Sequence, residues 1–311
     1  MKKPYIIAEA GVNHNGNIMI AKKLIKAAKT SGADAVKFQI FFADSLVLPN
    51  TSKAKYQKIS DDSLDQYKML QKLELSYLDI KNLKKYAERY KIDFLSSAFD
   101  IKSLDFLKKL KVKKVKIPSG EITNTPYLEK AASLKKPIIM STGMANVKEI
   151  SFALSLLAKK GIHKKNITIL HCSTAYPTEM KDVNLNAMQE LGKRFNLDYG
   201  YSDHTKGIEI SIAAAAFGAK VIEKHLTLDK NLKGPDHSAS TEPEEFKRMV
   251  DSIRNITFAL GSKEKKISRE EFLNKKLIRK SIVASNYIKR GDIFSEKNLT
   301  TKRPGNGLSP T

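Results

Sequence analysis

A closed (β/α)8 barrel, an α/β fold, with a small β-rich domain behind it is the fold class this sequence predicts. Three observations predict it. Eight short apolar runs recur along the chain. They are YIIAE (Tyr5 to Glu9), AVKFQ (Ala35 to Gln39), FLSSAF (Phe94 to Phe99) and VKIPSGE (Val115 to Glu121), then PIIMST (Pro137 to Thr142), ITILHCST (Ile167 to Thr174), GYSDH (Gly200 to His204) and VIEKH (Val221 to His225). A helix-like stretch follows each, and strand–helix units in series describe a parallel sheet wrapped by helices. The runs keep ending in Lys, Ser, Glu or His, and a TIM-type barrel gathers its active site at the C-terminal strand ends.

The elements follow in order. Strand one is Tyr5 to Glu9, and GVNHNG turns the chain into a helix over Ile18 to Thr30. Ile18, Ala21, Leu24, Ile25 and Ala28 share one face of that helix. Strand two is Ala35 to Gln39. The polar insertion over 41–75 is long for a compact domain and is expected to wall the site. A helix over Tyr77 to Tyr90 leads to strand three, Asp93 to Ser97. Strand four is Val115 to Ile117, with a helix over Thr125 to Leu134; strand five is Pro137 to Ser141, with a helix over Val147 to Lys159. Strands six, seven and eight are Ile167 to His171, Tyr199 to Ser202 and Val221 to His225. The last barrel helix spans Glu242 to Leu260, opens with the capping pattern STEPEE and carries Pro243 in its first turn. The division expected is a barrel over 1–260, a charged linker or exposed helix within 261–278, and a small domain over 279–311.

Bulk composition narrows the function. The chain has 41% hydrophobic and 29% charged residues, ordinary for a globular protein. No apolar run is long enough to span a membrane. MKKPYIIAEAG reads as strand one of the mature protein and not as a signal peptide. The single cysteine, Cys172, excludes an internal disulfide and suits a reducing cytoplasm; it reads as a small buried hydrophobe. The net charge is +23, but Lys outnumbers Arg 48 to 8, Trp is absent and the lysines are scattered over helices. That describes a solvated surface, not a nucleic-acid footprint, although the excess charge can steer an anion.

The strand ends carry the chemistry. His204 and His225 close neighbouring strands, where two imidazoles can share one divalent cation. Glu9, Asp203 and Asp236 are the carboxylates expected beside them. Lys37 and Lys116 close strands two and four, and a lysine inside a barrel is costly unless paired. They read as an anion clamp or a Schiff-base nucleophile; the structural alternative is an ion pair with Glu9 or Glu121. Ser97, Ser119, Ser141, Thr174 and Ser202 would add neutral donors around one rim. Glu9 and Glu121 are candidates for proton transfer or polyol binding, and Tyr176 and Gln39 for sugar contacts. His14 reads as a turn histidine and His171 as a core or site histidine; His237 is placed to reach a ligand, and His163 lies in a surface turn.

AEAGVNHNG, AVKFQ, KIPSGE, STGM, LHCST with YPT, SDHT, EKHLTLDK, GPDHSAS and KRPGNG occur in this order. The ordered set resembles the sialic acid synthases, specifically the bacterial N-acetylneuraminate and N,N′-diacetyllegionaminate synthases, over essentially the whole chain. The resemblance implies a TIM barrel followed by an antifreeze-like (SAF) domain, here expected to be either shortened or cut, since the sequence stops at Thr311 soon after KRPGNG. It implies condensation of phosphoenolpyruvate with open-chain N-acetylmannosamine and release of inorganic phosphate. The alternative acceptor is 2,4-diacetamido-2,4,6-trideoxymannose. It implies metal ligands at His204 and His225, with Mn2+ the first expectation and Mg2+ or Co2+ alternatives. Phosphoenolpyruvate contacts fall on Lys37, Ser97, Lys116, Ser119, Ser141, Thr174 and Ser202, and sugar contacts on Glu9, Gln39, Tyr176 and Asp236. Arg303 matches an arginine that reaches the partner subunit's barrel in a domain-swapped homodimer. The chain departs from the family pattern at SSAF, where relatives often have STPF, and at Glu179 after YPT.

Overall fold

A computed structural model describes residues 3–54, 57, 58, 63, 65–303 and 306–311. Pro304 and Gly305 of KRPGNG and part of the 41–75 insertion lie outside the described residues. The chain divides into two compact units, 1–260 and 261–311.

In the first unit the described strands close a parallel barrel in sequence order. They are β1 (Tyr5–Gly11), β2 (Ala35–Ile40), β3 (Asp93–Ala98), β4 (Val115–Ile117), β5 (Ile138–Ser141), β6 (Ile167–His171), β7 (Asp198–Asp203) and β8 (Val221–His225). β1 pairs with both β2 and β8, with Glu9 opposite Lys37 on one side and His225 on the other. Successive side chains on a strand point to opposite faces, so each strand has an inner and an outer series. Ile7, Ala35, Leu95, Ile139, Leu170 and Val221 form a separate apolar cluster that plugs the lower barrel. The outer series packs against helices in the main core.

Those helices form for local reasons. α1 (Ile18–Thr30) starts at Asn17, whose side chain accepts from the Met19 and Ile20 amides, and buries Ala21, Leu24, Ile25 and Ala28. The expected insertion contains two described helices, α2 (Ala43–Leu46) and α3 (Gln66–Leu73). α4 (Tyr77–Arg89) opens on a Ser76–Asp79 capping box. α5 (Ile101–Lys109) begins at Asp100, α6 (Thr125–Ser133) carries proline in its first turn, and α7 (Val147–Lys159) opens on an Asn146–Glu149 box. α8 (Leu185–Phe195), α9 (Glu209–Ala216) and α10 (Pro243–Ala259) complete the outer ring. α10 begins on Pro243, but its N-cap Glu242 makes no side-chain capping bond; Glu242 instead accepts from the Lys230 amide at 3.0 Å. No helix among the described residues is long and apolar enough to cross a membrane.

The second unit holds α11 (Arg269–Ile278), which opens on a Ser268–Glu271 capping box, and an antiparallel pair, β9 (Ser281–Ala284) with β10 (Leu299–Lys302). The charged segment over 261–278, expected to be a linker or an exposed helix, is helical over Arg269–Ile278.

Candidate active site

The site is built from the inner series above the apolar plug. Glu9 on β1, Lys37 on β2, Ser97 on β3, Lys116 on β4, Ser202 on β7 and Glu223 on β8 are all buried and border one cavity of about 230 Å3. Lys37 Nζ lies 3.1 Å from Glu9 Oε2 and 3.4 Å from Glu223 Oε2, and donates to Ser97 Oγ at 3.1 Å. Lys116 Nζ donates to Glu223 Oε1 at 3.2 Å, and Ser202 Oγ donates to the same oxygen at 3.0 Å. Glu9 Oε1 accepts from Gln39 Nε2 at 3.0 Å.

Electrostatics differentiate these groups. Glu223 sits between two ammonium groups, and they pull its carboxyl down to about 2 despite burial. Burial alone would depress Lys37, but Glu223 and Glu9 outweigh it and raise the ammonium. Burial wins at Lys116, which is lowered although Glu223 opposes it. Burial also raises Glu9, with Lys37 only partly offsetting.

Above this layer lie the imidazoles. His204 follows β7 and His225 ends β8; their ring centroids are 5.5 Å apart. His204 Nδ1 donates to the Ser173 carbonyl, because a carbonyl can only accept, and this leaves Nε2 as the lone-pair nitrogen. That Nε2 is 3.2 Å from Tyr176 Oη, and the Tyr176 ring stacks on the imidazole at 4.2 Å. His225 Nδ1 is buried without a hydrogen-bond partner and stands 3.7 Å from Asp236 Oδ2. Burial lowers His204 to about 4 and His225 well below the usual imidazole range, so both rings are neutral near pH 7. Burial, with Glu9 nearby, raises Asp236 to about 7. Two neutral imidazoles on adjacent strand ends, one with its tautomer fixed and one with an orphaned nitrogen, fit a divalent cation. Among the described residues no group of three or more His, Cys, Asp or Glu converges as a ligand set.

Ser119, Ser141 and Thr174 complete the cavity rim. Ser141 Oγ is buried and without a partner, and Ser119 Oγ accepts from the Gly143 amide at 3.0 Å. Met69, Leu70 and Leu73 of α3 form an apolar part of the wall, so the insertion does reach the site.

Two sequence expectations fall elsewhere. Glu121 lies on the turn after β4; its carboxylate accepts from Asn124 and does not border the cavity, nor does it pair with either lysine. Asp203 belongs to the outer series, opposite Lys224, and not beside the imidazoles. Arg303 is exposed in the second unit, where the sequence placed it. Glu223 was missed, although His225 pointing inward on β8 requires residue 223 to do the same. His171 is held by the Val183 carbonyl on the outer side, and His14 and His237 sit in a buried turn network with Gly16, Thr227 and Asn15.

A strand-end cavity lined by two buried lysines, a hydroxyl rim and two neutral imidazoles has the place and the donor set of a (β/α)8-barrel active site. Residues 24–265 match the NeuB family, and the chain belongs to it. The N,N′-diacetyllegionaminic acid synthase of Campylobacter jejuni is 56% identical over 99% of this chain and 93% of its own length. The N,N′-diacetyllegionaminic acid synthase of Legionella pneumophila is 49% identical over 99% and 87%. The crystal structure of the N-acetylneuraminic acid (sialic acid) synthetase of Leptospira borgpetersenii superposes with a TM-score of 0.77 at 33% identity, covering 89% of this chain and 93% of that one. The chain is thus an enzyme of the sialic and nonulosonic acid synthase family.

Proposed function

We propose that the chain condenses phosphoenolpyruvate with 2,4-diacetamido-2,4,6-trideoxymannose, giving N,N′-diacetyllegionaminate and inorganic phosphate. The observation that carries this reading is the ammonium and hydroxyl cradle meeting the imidazole pair in one cavity. N-acetylmannosamine, the first expectation from the sequence, becomes the second reading. The relatives at 56% and 49% identity are diacetyllegionaminic acid synthases, and the N-acetylneuraminic acid synthetase is at 33%. The apolar wall of Met69, Leu70 and Leu73 also suits a deoxygenated, doubly acylated sugar better than a polyol.

Lys116 donates to the phosphate while Lys37, held by Glu9, Glu223 and Ser97, adds its charge beside it; Ser97, Ser119, Ser141 and Thr174 supply neutral donors to the phosphate and carboxylate oxygens, and Ser202 borders the same pocket while bracing Glu223. Glu9, Gln39, Tyr176 and Asp236 orient the open-chain sugar so that its aldehyde carbon faces carbon three of the enol. His204 and His225 would hold a divalent ion, with Mn2+ favoured, which supplies Lewis-acid polarisation of the aldehyde oxygen when bound. Carbon three attacks that carbon; water then adds at carbon two, and the tetrahedral adduct expels phosphate with C–O cleavage. Glu121 shares its turn with Ser119 and Gly120, which border the cavity. Burial raises its carboxyl, which suits a group that carries a proton. Arg303 of a partner subunit would meet the N-acyl group in the proposed swapped homodimer. A phosphate-release assay with phosphoenolpyruvate, Mn2+ and each sugar in turn tests the reading. Release dependent on the diacetamido sugar, with heavy oxygen from labelled water in the sugar acid, is expected. No release with either sugar, or heavy oxygen in the phosphate, overturns it. A borohydride-trapped adduct with pyruvate would instead mark a Schiff-base aldolase.

A further inference from the structure

Behind the imidazole pair, on the outer face of the barrel, lies a buried ion pair that the proposed chemistry does not use. Asp203 and Lys224 face each other across the last β7–β8 rung, each one residue before an imidazole. Lys224 Nζ donates to Asp203 Oδ2 at 2.9 Å, with side chains 1% and 0% exposed. The remaining acceptor positions of Asp203 are filled. Ser211 Oγ of α9 donates to Oδ2 at 2.6 Å, and Thr205 gives both its amide (2.9 Å) and its hydroxyl (2.7 Å) to Oδ1. Lys224 Nζ reaches past its own strand to donate to the Thr205 carbonyl at 2.9 Å.

The consequence is geometric. His204 lies between Asp203 and Thr205, so both neighbours are tied to one carboxylate and to one ammonium. That ammonium belongs to the residue preceding His225. β7 ends at Asp203, so the barrel ladder stops just where the spacing of the two rings must be set. A buried ion pair is weak evidence for stability, since well-packed apolar residues often do as well; fixing one geometry is what such a pair can add.

We propose that Asp203 and Lys224 are positioning residues for His204 and His225, bracing the two strand ends so that both imidazoles address one divalent cation. This rests on the reading of those histidines as cation ligands. The test is Mn2+ uptake by the full chain without substrates, followed by electron paramagnetic resonance, with inorganic phosphate binding measured in parallel. The variants are Lys224→Met and the double variant Asp203→Asn with Lys224→Met, which leaves no unpaired charge; Ser211→Ala removes a single bond to Asp203 should neither fold. The expected result is Mn2+ affinity about 10–100-fold weaker, the range for residues that orient metal ligands, with phosphate affinity unchanged; Ser211→Ala should show a smaller loss in the same direction. Unchanged Mn2+ affinity in a folded variant overturns the proposal, as does an equal loss of phosphate affinity, which would mean general loosening. His204→Ala separates the two claims. If it abolishes Mn2+ uptake while the double variant keeps it, only the brace falls; if the wild-type chain takes up no Mn2+, the ligand reading falls and the brace with it.

Discussion

Replacing Glu223 with glutamine should be costly, and the structure gives the size. The side chain is buried, touches both cradle lysines and accepts from Ser202. Its carboxyl is lowered from the ordinary 4.5 to about 2. At 1.36 kcal/mol per pH unit that depression is worth about 3 kcal/mol. Removing one partner of a buried ion pair typically costs about 3–5 kcal/mol, which agrees. For a domain of this size about 3 kcal/mol lowers the melting temperature by about 6–12 °C. The sign of the pH dependence follows. A carboxyl depressed in the folded state stabilises above its unfolded pKa, and that contribution is lost as pH falls from about 4.5 through about 2. Glu223→Gln should therefore melt early at neutral pH and show a flatter acid limb than wild type. Phosphate should restore part of the loss, because an anion bound only by the folded state stabilises it by mass action. Thermal melts across pH 2–8, with and without phosphate, measure all three effects. A melting temperature equal to wild type at pH 7 without phosphate would refute the reasoning.

Leu73→Gln puts an amide on the apolar wall and should raise KM for the diacetamido sugar about tenfold, the scale of a hydrophobic contact; KM for phosphoenolpyruvate should stay put, and steady-state kinetics read both. Gly200→Ala places a methyl 2.1 Å from the Val221 carbonyl oxygen and 2.8 Å from Leu170 Cδ2, so backbone must move. It should cost at least about 3 kcal/mol in urea unfolding, the upper end for overpacking; a wild-type midpoint would contradict the register of β7 against β8. Glu121→Gln should lower kcat more than it changes either KM; an unaffected kcat removes Glu121 from the reaction.

What the sequence discloses is set by periodicity. A strand buried on both faces writes its inner series at every second residue, so Lys37, Ser97, Lys116, Ser202 and His225 could be placed inward from the runs alone. The same rule puts Asp203 outward between Ser202 and His204, and Glu223 inward below His225; both follow once the alternation is applied to the whole strand and not only to its last residue. Where alternation stops, orientation is not legible. Glu121 sits on a turn past β4, and its direction depends on Asn124. α9 is equally opaque: EISIAAAA is apolar nearly all round, with no stripe to mark which face meets the sheet. Arg303 lies in the second unit, which buries little apolar surface of its own.

The two lysines that look equivalent in sequence are not equivalent in structure, and this separates their roles. An ammonium has three donors. Lys37 directs them at Glu9, Glu223 and Ser97, and is thereby saturated. Lys116 contacts Glu223 alone among the described residues and keeps donors for an incoming anion. Lys116→Met should therefore weaken phosphate and phosphoenolpyruvate binding by about 10–100-fold, the value of one or two hydrogen bonds to a charged group. It should destabilise the fold less than Lys37→Met does, since Glu223 retains Lys37 and Ser202 and burial already disfavours the Lys116 ammonium. Lys37→Met should do the reverse. It strands Glu9 and part of Glu223 in a buried site and should cost about 3–5 kcal/mol of stability, with a smaller change in KM. Phosphate binding and chemical denaturation on the two variants distinguish the cases. Equal effects of both substitutions on both measurements would show that the cradle acts as one undivided charge.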